Sequence, residues 1–339
     1  MRRLPVYLLV DTSESTVGAA HDSIKEGLRQ LVSALHKDPY ALETVWLSVI
    51  TFDVNARVLT PLTDISDFMF PDFQIQPGTA LGAALDLLRE QIAKETVRTT
   101  RVRKGDWRPL VFLLTDGAPT DEWREPLARL KRVTPKPANI YAIGCGDDVD
   151  FSILQELADF TFQLESKSEA ETSALFKKLF IWLSASVNSA SRGFDDNPVE
   201  VDRLPDGVRK LDRDFTPNWR EDYPSRIFMH AMCTKTKKKM LLRFNYDGKR
   251  YSSSNVFPLH GNFLFHGAGA AAPVSTELIT ADVPICPHCG GFLALVCPRC
   301  GCIICIKPPY PDEVECPNCH NVAGLGGGVA LDSISGSTG

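Results

Sequence analysis

Leu4-Pro5-Val6-Tyr7-Leu8-Leu9-Val10-Asp11-Thr12-Ser13-Glu14-Ser15 is the stretch that decides the fold. An unbroken apolar run of this length reads as a strand buried on both faces. It ends on a carboxylate and two hydroxyls spaced two apart. A helical pattern follows, with Val17, Ile24, Leu28, Leu31, Val32 and Leu35 at spacings of three and four. The same alternation continues down the chain. Thr44 to Phe52, Ala56 to Leu62, Leu110 to Thr115, Asn139 to Gly144 and Phe160 to Leu164 read as strands, rich in Val, Ile, Leu and Phe. Leu81, Ala84, Leu85, Leu88 and Ile92 form one helical stripe, and Leu175, Leu179 and Trp182 another. Residues 1–190 are therefore expected to form an α/β domain, a doubly wound, mostly parallel sheet with ligand sites at the carboxyl ends of its strands.

The remaining residues change texture. Residues 191–225, with Pro198, Pro205, Pro217 and Pro224 among many charges, read as a linker. Residues 226–266 are expected to form a small antiparallel β region, in which Asp247-Gly248 marks a hairpin. Residues 267–284 form a second linker, 285–323 a cysteine module, and 324–339 a flexible Gly/Ser-rich tail. With 37 basic against 42 acidic side chains the formal charge is −5, which does not favour nucleic acid as a partner. No stretch approaches the roughly 20 apolar residues that span a bilayer. The apolar N-terminal run stops at Asp11 without a small-residue cleavage site, so a cytoplasmic protein is expected.

Three strand-to-helix turns carry oxygen donors: Asp11, Ser13 and Ser15 after the first strand, Thr79 in Pro77-Gly78-Thr79-Ala80, and Asp116 in Thr115-Asp116-Gly117. Singly, each serves as well for a helix cap or a tight turn. Together they are hard ligands of the kind Mg²⁺ accepts, or Mn²⁺ in its place. Two carboxylates neutralise the ion, and neutral hydroxyls leave it electrophilic toward an anion from outside.

The pattern Asp-x-Ser-x-Ser, a downstream Gly-Thr and a later Thr-Asp-Gly resembles the metal-ion-dependent adhesion site of the von Willebrand factor A family, over roughly residues 4 to 187. The resemblance implies that Ser13, Ser15 and Thr79 coordinate the cation directly or nearly so. Asp11 and Asp116 act directly or through water, and a partner's Glu or Asp completes the shell. It also implies protein binding and no catalysis.

Ten cysteines are present, and eight of them fall in four Cys-x-x-Cys pairs: Cys286 and Cys289, Cys297 and Cys300, Cys302 and Cys305, Cys316 and Cys319. Eight thiolates in this spacing predict two closed, tetrahedral, structural Zn²⁺ sites in a zinc-ribbon-like module. Sequential and crossed pairings are both open, and His288 or His320 is an alternative ligand. Cys145 and Cys233 read as small buried apolar residues. An A domain followed by a β region and eight metal-binding positions resembles the TerY family of tellurium-resistance-associated proteins. That resemblance implies a stress-response system shared with a protein kinase and a PP2C-type phosphatase. The expectation is a Mg²⁺-dependent adaptor. The alternatives are a metal-dependent phosphoesterase using Asp11 and Asp116, or nucleic-acid binding through the zinc module helped by Lys235, Lys237, Lys238 and Lys239 and by Arg98, Arg101, Arg103 and Lys104.

Overall fold

Strand β1, Leu4–Asp11, is buried at every position. Its side chains alternate between two apolar layers, Leu4, Val6, Leu8 and Val10 entering one and Tyr7 and Leu9 the other. The structure, a computed structural model, describes residues 2–102, 104–145, 149–164, 169–192, 204–211, 226–259, 272–275, 278–280, 283–324 and 333–336. The chain divides into two compact units, Met1–Phe73 with Thr79–Asn218, and Gln74–Gly78 with Trp219–Gly339.

The first unit is built on a seven-stranded sheet. After β1 come β2 (Val45–Phe52), β3 (Ala56–Asp64), β4 (Leu110–Thr115), β5 (Asn139–Cys145), β6 (Phe160–Leu164) and β7 (Val208–Leu211), in the spatial order β3-β2-β1-β4-β5-β6-β7. All neighbours are parallel except the edge pairs β2–β3 and β6–β7. Helices α1 (Ala19–Leu35) and α6 (Glu169–Arg192) supply the layer on one face, with Ala41 of the short α2 (Pro39–Thr44). Helices α3 (Leu81–Glu95), α4 (Arg124–Lys131) and α5 (Phe151–Leu157) cover the other. The expected α/β class is the class observed. Strand β7 lies inside the segment read as a linker: four residues, Val-Arg-Lys-Leu, are too short to show a period, and pairing with β6 defines them. The rest of 191–225, apart from Ser191, Arg192 and 204–207, lies outside the described residues, as does Arg103.

The second unit is organised by a five-stranded sheet of β8 (Arg226–Met232), β9 (Lys239–Tyr246), β10 (Tyr251–Pro258), β12 (Phe292–Val296) and β13 (Ile303–Ile306), in the order β10-β9-β8-β13-β12. Strand β11 is Ala272–Ser275. The β region and the cysteine module, expected as separate pieces, are therefore one sheet. The joint is a parallel pairing, Ile303 with Ala231 and Ile304 with Met232. Sequence spacing cannot show such a long-range pairing. The turn at Asp247-Gly248 runs through Arg250, with the Asp247 carboxylate accepting from the amides of Lys249 and Arg250. Short strands β14 (Glu313–Glu315) and β15 (Val322–Gly324) pair with each other. Strand β16 (Ser333–Gly336), in the stretch read as a flexible tail, pairs with β11 in the stretch read as the second linker. Residues 325–332 and 337–339 of that tail lie outside the described residues.

Candidate metal centres

The first centre forms where β1, β2 and β4 end together. Parallel register sets Val10 beside Thr51 and Leu114, so the residues that follow each strand emerge at one edge. The Asp11 carboxylate accepts the Ser13 amide at 2.9 Å and the Thr115 hydroxyl at 2.5 Å. The Ser13 and Ser15 hydroxyls lie 2.8 Å apart, and Ser15 Oγ donates to Asp116 at 2.5 Å. Asp11, Ser13, Ser15 and Asp116 thus form one continuous cluster, all buried. Thr79 is brought to the same edge through the chain after β2: the Ala80 amide donates to the Asp53 carbonyl at 2.7 Å, and Thr12 Oγ1 donates to the Asp53 carboxylate at 3.2 Å.

None of the oxygen donors on the first two turns acts as a helix cap. Helix α1 starts after Gly18 with no side-chain cap, and α3 starts after Ala80 with none from its own N-cap. Instead the Asp121 carboxylate reaches across and accepts the Gly82 and Ala83 amides, both at 2.9 Å. This approach requires Gly82, because a Cβ there would lie 2.1 Å from the Glu122 carbonyl oxygen. Thr79 Oγ1 is buried and, among the described residues, has no hydrogen-bond partner. A buried hydroxyl left without a partner is costly, on the order of 1–3 kcal/mol. Burial and the neighbouring Asp116 charge raise the Asp11 carboxyl to about 7. An orphaned hydroxyl and two crowded carboxylates are the donor chemistry that fits a hard divalent cation.

Sequence reasoning did not single out Thr115, Thr120 or Asp121. Thr115 fixes Asp11, while Asp121 caps a helix that begins far upstream, a relation with no local sequence signature.

The second unit holds two cysteine tetrads, Cys233, Cys286, Cys289 and Cys305, and Cys297, Cys300, Cys316 and Cys319. Within each, all sulfur atoms lie within 4.8 Å of one another. Cys289 and Cys305 are 3.5 Å apart, Cys297 and Cys319 3.5 Å, and Cys300 and Cys316 3.7 Å. Zinc with sulfur ligands at about 2.3 Å in a tetrahedron needs sulfur separations of about 3.8 Å, so both tetrads fit. None of the ten cysteines forms a disulfide.

The composition of the first tetrad corrects two expectations: Cys233 belongs to it and Cys302 belongs to neither. The backbone explains both. Four turns in this unit share one hydrogen-bond pattern. The amides of Cys233, Cys286, Cys297 and Cys316 donate to the carbonyls of Lys238, Gly291, Cys302 and Asn321, and the carbonyls of the same four cysteines accept from Lys237, Gly290, Gly301 and His320. Those last four residues all have positive φ, from 58° to 70°. Cys302 is thus the residue whose carbonyl closes the Cys297 turn. It then enters strand β13, where three residues of extended chain turn its side chain away from that of Cys305. Its buried thiol packs with Met232, Ile304 and Val314. Cys233, by contrast, opens a turn of the same shape that has Thr236 where the other three have their second cysteine. The Thr236 amide lies 3.4 Å from Cys233 Sγ, and the Thr234 amide donates to Cys305 Sγ at 3.3 Å. Neither tetrad includes a histidine: His320 pairs with Glu315 at 2.7 Å, and His288 stands outside both.

The profile of the von Willebrand factor type A domain matches residues 6–176. Among solved structures, the chain is similar to proximal thread matrix protein 1 from the mussel byssus with a zinc-occupied MIDAS motif, at 20% identity over 54% of this chain and 48% of that one, TM-score 0.38. A von Willebrand factor type A protein from Catenulispora acidiphila matches at 17% identity over 54% and 43%, TM-score 0.41. The ArnB paralog VWA2 from Sulfolobus acidocaldarius matches at 14% over 76% and 66%, TM-score 0.41. The chain spans about half the length of the byssus proteins it matches.

Proposed function

The chain belongs to the von Willebrand factor type A domain family, and from that premise we propose that it is a non-catalytic adaptor that captures an acidic side chain of a protein partner through a bound Mg²⁺ or Mn²⁺. The buried Thr79 hydroxyl without a partner, at the edge where Asp11, Ser13, Ser15 and Asp116 converge, is the observation that carries this reading. Two carboxylates balance the dication, three hydroxyls add no charge, and the ion keeps an affinity for an outside carboxylate. Small hard cations of this kind favour six oxygen ligands, which leaves room for a ligand from the partner.

In the second unit the two tetrads hold structural Zn²⁺. The order of modules, an A domain followed by a β sheet with eight thiolates, supports a place in a tellurium-resistance-like stress response. The partner class is then a protein kinase and a PP2C-type phosphatase in the cytoplasm. Among the described residues no helix is long and apolar enough to cross a membrane.

The test is a pull-down from native extract in Mg²⁺ buffer, comparing the wild-type chain with Asp11→Ala. A partner retained by wild type and lost by the variant supports the reading. Equal capture by both would contradict it. Mutation serves better than chelation here, because a chelator also strips zinc.

A further inference from the structure

Thr79 differs from the other oxygen donors of the first centre in how it is held. Asp11, Ser13 and Ser15 sit within one turn at the end of β1 and are ordered by bonds among themselves. The Thr79 side chain makes no such bond. Its backbone, however, is gripped at two points by one residue. The Thr79 amide donates to Thr120 Oγ1 at 2.8 Å, and the Thr120 amide donates to the Thr79 carbonyl at 2.9 Å. The same carbonyl accepts the Leu81 amide at 2.9 Å. Both polar backbone groups of Thr79 are thus satisfied, and only its hydroxyl is left over. A β-branched side chain has few χ1 rotamers, so fixing the backbone of Thr79 also restricts where its hydroxyl can point. Thr120 lies four residues after Asp116 on the same loop. A residue beside one carboxylate ligand therefore holds the hydroxyl ligand supplied by a different part of the chain.

We propose that Thr120 is a positioning residue of the cation site: its hydroxyl and amide clamp the Thr79 backbone so that Thr79 Oγ1 faces the bound ion. This rests on the cation-binding reading above. The neighbouring Asp121 provides a built-in control. It holds the same stretch of chain, but through the Gly82 and Ala83 amides at the start of α3, and so contributes to helix stability and not to the aim of the Thr79 hydroxyl.

The experiment titrates Mn²⁺, followed by its electron paramagnetic resonance signal, into the full chain carrying its zinc. Thermal unfolding is recorded for each variant alongside. The expected result is that Thr120→Val weakens Mn²⁺ binding about tenfold, as loss of a ligand-orienting partner commonly does. Thr120→Ser keeps the hydroxyl and restores binding. Asp121→Ala lowers the melting temperature but leaves Mn²⁺ affinity unchanged. Should Thr120→Val fail to fold, Thr120→Ala makes the same test, since it too removes the hydroxyl while keeping the Thr120 amide.

Wild-type affinity in Thr120→Val, failure of Thr120→Ser to restore binding, or an equal loss in Asp121→Ala would each overturn the proposal. Asp116→Ala separates this from the underlying reading. If Asp116→Ala loses Mn²⁺ while Thr120→Val keeps it, the cation site stands and the clamp falls. If the wild-type chain binds no Mn²⁺ at all, both fall.

Discussion

The two kinds of candidate metal centre in this chain are built in opposite ways. The oxygen site rides on the ends of three parallel strands inside a large sheet whose two apolar layers are complete by themselves. Its oxygen donors are placed by a scaffold that packs without an ion, and its two carboxylates crowd each other. The cysteine sites belong to a small sheet, and the cysteines are themselves part of its core: Cys286 and Cys305 pack with Ile227, Met229 and Leu242, while Cys297, Cys302 and Cys316 pack with Ile304 and Val314. In the first case the fold makes the site. In the second, on the proposed reading, a bound Zn²⁺ completes the fold, and structural zinc in small domains is worth on the order of 10 kcal/mol.

The largest expected effect follows from that contrast. Stripping zinc, or replacing Cys305 by Ser, abolishes cooperative unfolding of the second unit, while the first unit keeps its own transition. Limited proteolysis with mass mapping reads the two units separately. Retained protection of 226–259 after zinc loss would break the comparison.

A second effect is confined to the oxygen site. Because burial and Asp116 raise the Asp11 carboxyl, the metal-free folded state binds a proton that the unfolded chain has already released. Asp11 therefore contributes a loss of first-unit stability as pH rises from about 4 to about 7, by at most about 1.4 kcal/mol per pH unit, while buried His21, its pKa lowered to about 4, contributes a gain over the lower part of that range. Saturating Mg²⁺ or the Asp11→Asn substitution removes the Asp11 contribution. Unfolding of wild type and Asp11→Asn by urea across that pH range without metal measures it; the same pH profile for both chains would contradict the electrostatic account.

Next in size is the helix cap supplied from a distance. Asp121→Ala leaves two amides of α3 without their acceptor and costs about 1 kcal/mol, read as a lower melting temperature of the first unit alone.

The smallest effect concerns the four cysteine turns. Two place glycine at the positive-φ position, Gly290 and Gly301, and two place Lys237 and His320 there. Lys237→Gly relieves a left-handed conformation and gains up to about 1 kcal/mol, whereas Gly290→Ala loses a similar amount. Comparing the melting temperature of the second unit in the two variants checks the pair of signs.

What could be read in the sequence follows the same division. The central strands of the first sheet were legible because each is an apolar run followed by a turn, and parallel pairing brings the turns that carry Asp11, Ser13, Ser15 and Asp116 together without further information. Strand β7 was not, since only its pairing with β6 makes Val208–Leu211 a strand. The cysteine module showed its turns but not its ligand sets. A Cys-x-x-Cys spacing looks alike whether the pair wraps a turn, as at Cys297 and Cys300, or straddles the entry to a strand, as at Cys302 and Cys305. Cys233 was hidden for the complementary reason. It opens the right kind of turn without a second cysteine, and reaches its partners through the parallel pairing of β8 with β13. Thr120 reaches Thr79 and Asp121 reaches the start of α3 from the loop before α4, and no helix periodicity or capping pattern near Leu81 points to them.

The division of metals between scaffolded and fold-completing sites is tested most directly by counting them. Native mass spectrometry of the full chain in Mg²⁺ buffer, on wild type, Asp116→Ala, Cys233→Ser and Cys302→Ser, is the measurement. The account predicts two tightly held Zn²⁺ and one exchangeable Mg²⁺ in wild type. Asp116→Ala loses only Mg²⁺, Cys233→Ser loses one Zn²⁺, and Cys302→Ser keeps all three ions. A Cys302→Ser chain that loses zinc while Cys233→Ser retains both ions would contradict it.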